Sequence, residues 1–199
     1  IFTTVFNNFY ISSPALMSII QSAEVDILFL KDATRYNYHR GVEGFASDLP
    51  GIAESITSLA ERIGAERIYV SGFSSGGYAA LLTSLLLPEC HGYLGFSHRV
   101  DVSPNSLLQQ SSIMSQELKD SLDQDWFLDL RSKLEIADRE VPRTLVYGAL
   151  NACDVAHAQH LEGLDTIRLI CLPDTGHNTI LKLLASQQLG RAFDHLVNA

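Results

Sequence analysis

Cysteine is scarce in this chain and odd in number. The three residues, Cys90, Cys153 and Cys171, are widely spaced, which excludes a disulfide framework and the paired spacing of a zinc site. Cys153, beside a candidate site residue, reads as a structural thiol, and the expected compartment is cytoplasmic. Basic residues are also few. Lysine and arginine number 14 against 23 aspartates and glutamates, a net charge of −9, and no basic stretch interrupts that balance. Nucleic acid and anionic membrane are therefore not expected partners. Long apolar runs are missing, and the strongest, Ala79–Leu87, is too short to span a bilayer. No secretory signal pattern opens the chain. It begins on Ile1, without Met, inside a strand-like run, so a targeting segment preceding it would not be visible.

What is present is ordinary in bulk. The chain has 199 residues, 46% apolar and 19% charged, as expected for one globular domain over residues 1–199. Strand-like and helix-like segments alternate along it. Strands are expected at Ile1–Phe6, Asp26–Leu30, Arg67–Gly72, Gly92–Phe96, Arg143–Gly148 and Thr166–Leu172. Helices are expected at Ser13–Ala23, Leu49–Ile63, Ser75–Leu87, Val155–Leu161 and Thr179–Val197. Ser103–Leu134 is polar and mainly helical in pattern, and carries Trp126 and Phe127. This alternation predicts an α/β fold, with a mostly parallel, doubly wound sheet of about six strands covered by helices. Right-handed crossovers would bring the C-terminal ends of the strands to one edge, where open α/β sheets carry their sites.

One motif stands out against that frame. Residues 67–87 read RIYVSGFSSGGYAALLTSLLL. An apolar strand enters Gly72-Phe73-Ser74-Ser75-Gly76 and a small-residue helix leaves it, which is the G-x-S-x-G nucleophile elbow in its proper setting. Such a turn exposes the Ser74 hydroxyl above the sheet edge and leaves the Ser75 backbone N–H free for a developing oxyanion.

A serine needs a base. Of seven histidines, His177 lies in the loop Leu172–Asn178 between the last strand and the last helix, on the edge where Ser74 should emerge. His98 also follows a strand on that edge and is a rival. His91 precedes a strand at the opposite edge, and His157, His160 and His195 fall in helices, as surface residues. The base needs an orienting carboxylate. Asp154 follows the strand RTLVYG and is the first choice, with helix capping as its alternative role. Asp101 and Asp174 are the competing acids.

The elbow, an acid after the penultimate strand and a histidine after the last one together resemble the α/β-hydrolase superfamily. The resemblance runs over nearly the whole chain and is specific in those three motifs. It implies a serine nucleophile, an oxyanion hole, and no metal or organic cofactor. Family members usually begin with two further strands before the one at Ile1–Phe6, so the sequence resembles a minimal or N-terminally incomplete version. Residues 103–134 occupy the place of a short helical cap. The second oxyanion donor should come from Asn7-Asn8-Phe9, with Asn8 favoured. No HGGG-type motif is present there, and an ordinary polar turn is the alternative.

A second patch, Asp32–Gly41, follows the strand DILFL and concentrates Arg35, Tyr36, Tyr38, His39 and Arg40. Such a loop can hold a sugar ring or an anionic group by stacking and bidentate hydrogen bonds. The plainer alternative is a solvated loop of ion pairs. The expected activity is serine hydrolysis of an ester or related acyl bond in a small-molecule substrate, including a carbohydrate ester. An acyltransferase with the same triad and a catalytically silent binding module are the rivals.

Overall fold

The structure, a computed structural model, describes residues 1–4, 6, 8–20, 25–103, 106–108 and 128–198. Asn7 and most of the expected cap, including Trp126 and Phe127, lie outside these residues. The described elements run in the order α1 (Ser13–Ile20), α2 (Leu49–Ile63), β1 (Ile68–Phe73), α3 (Ser75–Leu86), β2 (Cys90–Phe96), α4 (Arg131–Glu135), β3 (Arg143–Gly148), α5 (Ala152–Gln159), β4 (Arg168–Leu172), α6 (Thr179–Ala185) and α7 (Leu189–Asn198).

Four strands form one sheet in the order β1-β2-β3-β4, every neighbouring pair parallel. About six were expected. The two missing segments occupy strand positions without becoming strands: Phe2 makes isolated parallel bridges to Leu30 and to Gly72. Residues 1–3 are thus threaded between residues 28–30 and β1, held by Phe2 N–H to Ser71 O at 2.8 Å and Thr3 N–H to Leu30 O at 3.1 Å. The pairing stops at Thr4, whose N–H turns instead to Asn8 O at 2.9 Å.

Side chains alternate across the sheet and feed two cores. Val70, Tyr93 and Leu145 face α2, α3 and the buried Tyr38. Phe73, Leu94, Phe96 and Val146 face α1, α6 and α7. Helix α3 is apolar nearly all round and buried from Gly76 to Ser84, as a helix packed on every side must be. Helix α2 starts at Asp48, whose carboxylate accepts the Gly51 N–H at 2.7 Å. The expected single helix at the end of the chain is two, α6 and α7, separated at residues 186–188. Among the described residues no helix is long and apolar enough to cross a membrane.

Candidate active site

Because the strands are parallel, the loops after β1, β2, β3 and β4 all leave one edge of the sheet. The elbow is the first of them. Ser74 sits between β1 and α3 at φ 56° and ψ −123°, a strained conformation for a residue with a side chain. The flanking glycines are required by close approach. A Cβ on Gly72 would lie 2.3 Å from Gly76 O, and one on Gly76 would lie 2.3 Å from Thr3 O. The Ser74 N–H donates to Phe96 O at the tip of β2, at 3.0 Å. Ser75 opens α3, so its N–H has no acceptor within the helix.

His177 reaches Ser74 from the loop after β4. Its Nε2 lies 3.1 Å from Ser74 Oγ, and its Nδ1 lies 3.0 Å from both carboxylate oxygens of Asp154. A carboxylate only accepts, so Nδ1 carries the proton and Nε2 accepts from the serine hydroxyl. Asp154 is buried at 4% exposure, while the His177 side chain is 35% exposed. Asp154 stands in the first turn of α5 but does not cap it. Asn151 is the cap, and its side chain accepts the Asp154 N–H at 3.0 Å. The carboxylate is thereby left to the imidazole. Asp101 is engaged elsewhere, its Oδ1 accepting the Ser103 N–H at 2.8 Å, and Asp174 is exposed.

The other histidines have separate lives. His98 is buried; Nδ1 donates to Arg99 O at 2.8 Å and Nε2 faces the Tyr93 hydroxyl, so neither nitrogen is left for Ser74. Burial lowers its pKa to about 4. His157 is not the surface residue expected from its helix. It is fully buried, accepts the Val100 N–H on Nδ1 at 3.3 Å, and is likewise lowered to about 4 by burial. His160 pairs with Asp129 at 3.0 Å.

The loop after the first strand segment packs beside the elbow. Asn8 builds the turn: its Oδ1 accepts from Thr4 Oγ1 and from the Tyr10 N–H, both at 3.2 Å. The Tyr10 ring meets Phe73 edge-on at 5.0 Å, and Phe73 lies 5.3 Å from the His177 ring. This aromatic row next to the nucleophile carried no sequence signal, because Tyr10 is remote from the elbow along the chain.

The Arg35–Arg40 loop is corrected in part. Positive φ at Arg35, Asn37 and Tyr38 folds it back on itself around the buried Asp32, whose carboxylate accepts the N–H groups of Thr34, Arg35 and Tyr38. Tyr38 is therefore a core residue, 0% exposed, with its hydroxyl donating to Leu30 O at 2.8 Å. His39 is buried against Tyr78. Neither is open to a substrate. Arg35 and Arg40 stay exposed, and the Arg40 guanidinium lies 4.0 Å over the Tyr36 ring. Among the described residues no group of three or more His, Cys, Asp or Glu side chains is placed to hold a metal ion.

No protein-family model and no curated protein matches this chain. Solved structures do. A protein from Xanthomonas campestris pv. campestris, placed in the alpha/beta superfamily, is 19% identical over 98% of this chain and 94% of its own, with a TM-score of 0.52. A hydrolase from Pseudomonas aeruginosa PA01 is 15% identical over 76% of this chain and 72% of its own, with a TM-score of 0.52. An alpha/beta fold family hydrolase from Bacillus anthracis str. Sterne is 11% identical over 74% and 73%, with a TM-score of 0.50. The chain has the α/β-hydrolase fold.

Proposed function

We propose that this protein is a serine hydrolase that cleaves an ester or related acyl bond of a small molecule. The observation that carries the reading is the hydrogen-bonded chain Ser74–His177–Asp154 at a strand-to-helix elbow. Ser74 Oγ attacks the carbonyl carbon while His177 Nε2 takes its proton. Asp154 holds the imidazole and stabilises the imidazolium. The oxyanion is held by the Ser75 N–H and by a backbone N–H near Asn8. Collapse expels the alcohol, which leaves with the proton from His177. Water then attacks the acyl-enzyme by the same path, and Ser74 is regenerated.

The rim favours an apolar acyl or alkyl group. Phe6, Tyr10 and Leu150 are 67%, 40% and 71% exposed, and all lie on loops that leave the same sheet edge. Arg35, Tyr36 and Arg40 are the remaining candidates from the second loop for contact with a polar or ring-bearing part of the substrate.

The test is fluorophosphonate labelling together with hydrolysis of p-nitrophenyl esters of graded chain length. The wild type should be labelled and active, with preference for the longer apolar acyl chains. Ser74→Ala should fold, take no label, and lose on the order of 10³-fold or more in rate. A folded Ser74→Ala protein of near-normal activity would overturn the assignment.

A further inference from the structure

We infer that Ser97 and Thr179 are positioning residues, which tie the histidine loop to the strand tip that also holds the nucleophile. The inference rests on the proposed Ser74–His177 chemistry. Ser97 and Thr179 are 82 residues apart in sequence, yet their hydroxyls lie 3.0 Å from each other. Both residues are 0% exposed. The two hydroxyls are hydrogen-bonded to each other, and Phe96 and Ile180 are their buried apolar chain neighbours.

The two ends of this contact lead directly to the site. On one side, Ser97 follows Phe96, whose carbonyl accepts the Ser74 N–H at 3.0 Å. Ser97 itself is fixed by its N–H on Val146 O at 2.8 Å, and it is held at φ 42°. A side-chain residue rarely adopts that left-handed conformation. On the other side, Thr179 opens α6, and its N–H donates to His177 O at 2.9 Å. The dipeptide Phe96-Ser97 therefore holds the nucleophile through the Phe96 carbonyl and the histidine loop, by way of Thr179, through the Ser97 hydroxyl. The 3.1 Å separation of Ser74 Oγ and His177 Nε2 is spanned by this bracket. A purely structural pair of that size could be two apolar side chains, which would fill the space without leaving polar atoms to satisfy.

The variants that test it are Thr179→Val, which keeps the shape and deletes the hydroxyl, and Thr179→Ser, which keeps the hydroxyl. Steady-state hydrolysis of p-nitrophenyl butyrate is read alongside active-site titration with a fluorophosphonate. Thr179→Val should lower kcat per titrated site about 10- to 100-fold, with KM changed less than about twofold, because the reacting atoms are misplaced while substrate contacts persist. Thr179→Ser should restore kcat to within about threefold of wild type. Should Thr179→Val not fold, Ser97→Ala breaks the same contact from the other side and should show the same split. A kcat per titrated site that is unchanged in the folded variant overturns the inference, as does an equal loss in Thr179→Val and Thr179→Ser. A wild type that neither hydrolyses ester nor takes the label overturns the chemical reading and the inference with it. An active wild type with unchanged Thr179→Val removes the bracket alone.

Discussion

At the residue scale the proposed chemistry hangs on which acid orients His177. Asp154 meets Nδ1 with both oxygens and Asn151 relieves it of capping duty, whereas Asp101 serves the Ser103 N–H. Asp154→Asn should therefore lower kcat on the order of 10³- to 10⁴-fold, since an amide presents a donor to Nδ1 and favours the wrong tautomer. Asp101→Asn should leave kcat within a small factor of wild type. Ester hydrolysis by the two folded variants decides it, and the reverse order of losses would replace the acid. Ser74, Asp154 and His177 were legible as candidates because each follows a strand-like run, and parallel topology sends such loops to one edge. Ser97 was not legible: a serine after Leu94-Gly95-Phe96 looks like any loop residue, and its partner is remote in sequence. Tyr38 was misread for a related reason. The run RYNYHR looks polar and exposed, and nothing in it announces that positive φ at Arg35, Asn37 and Tyr38 folds the loop so that its second tyrosine is buried.

At the scale of elements, the break between α6 and α7 shows what a sequence pattern conceals. Helix α6 closes in a Schellman motif: the Gln187 N–H bonds to Leu184 O at 3.0 Å and the Gln188 N–H bonds to Leu183 O at 2.8 Å. The residue in the left-handed position is Gln187, at φ 56°. Glycine is the usual occupant and the usual signal of a helix end; with glutamine there, the apolar periodicity runs on without punctuation. The same geometry gives a prediction. Gln187→Gly removes the penalty of a Cβ at positive φ, and should stabilise the protein by roughly 0.5–1 kcal/mol after the entropy of the unfolded glycine is set against it. For a chain of this size that raises Tm by about 1–4 °C. A calorimetric scan showing a lower Tm would mean that Gln187 makes a compensating contact. The first two strand-like segments teach the converse lesson. Their composition is strand-forming and they lie beside β1 as isolated bridges, but strand length depends on successive ladder bonds, and Thr4 abandons the ladder for the turn at Asn8.

At the scale of the whole molecule, acid should destabilise this fold more than its overall charge would suggest. Two effects compete as pH falls from 7. The net charge of −9 shrinks toward zero near the sequence pI of about 5.1, which relieves self-repulsion; salt already screens much of that over about 8–10 Å. Against it stand three buried histidines, two of which, His98 and His157, are close enough to feel each other's charge. Burial lowers His39, His98 and His157 from 6.5 to about 4 each. The unfolded chain thus binds protons at these sites below pH 6.5 that the folded chain refuses until about 4, so stability is complete above the higher value and is lost progressively down to the lower one. One buried ring contributes on the order of 3 kcal/mol over that window, a sizeable part of the roughly 5–15 kcal/mol that holds a typical domain together. The histidine effect should win. Urea titrations at pH 7.5, 6 and 5 should show the midpoint falling steadily while the slope stays constant. His39→Phe keeps a ring against Tyr78 and removes one titrating group, whose buried Nε2 has no hydrogen-bond partner among the described residues, so its midpoint should fall less steeply with pH. A wild-type midpoint that holds or rises between pH 7.5 and 5 would mean that charge repulsion governs instead.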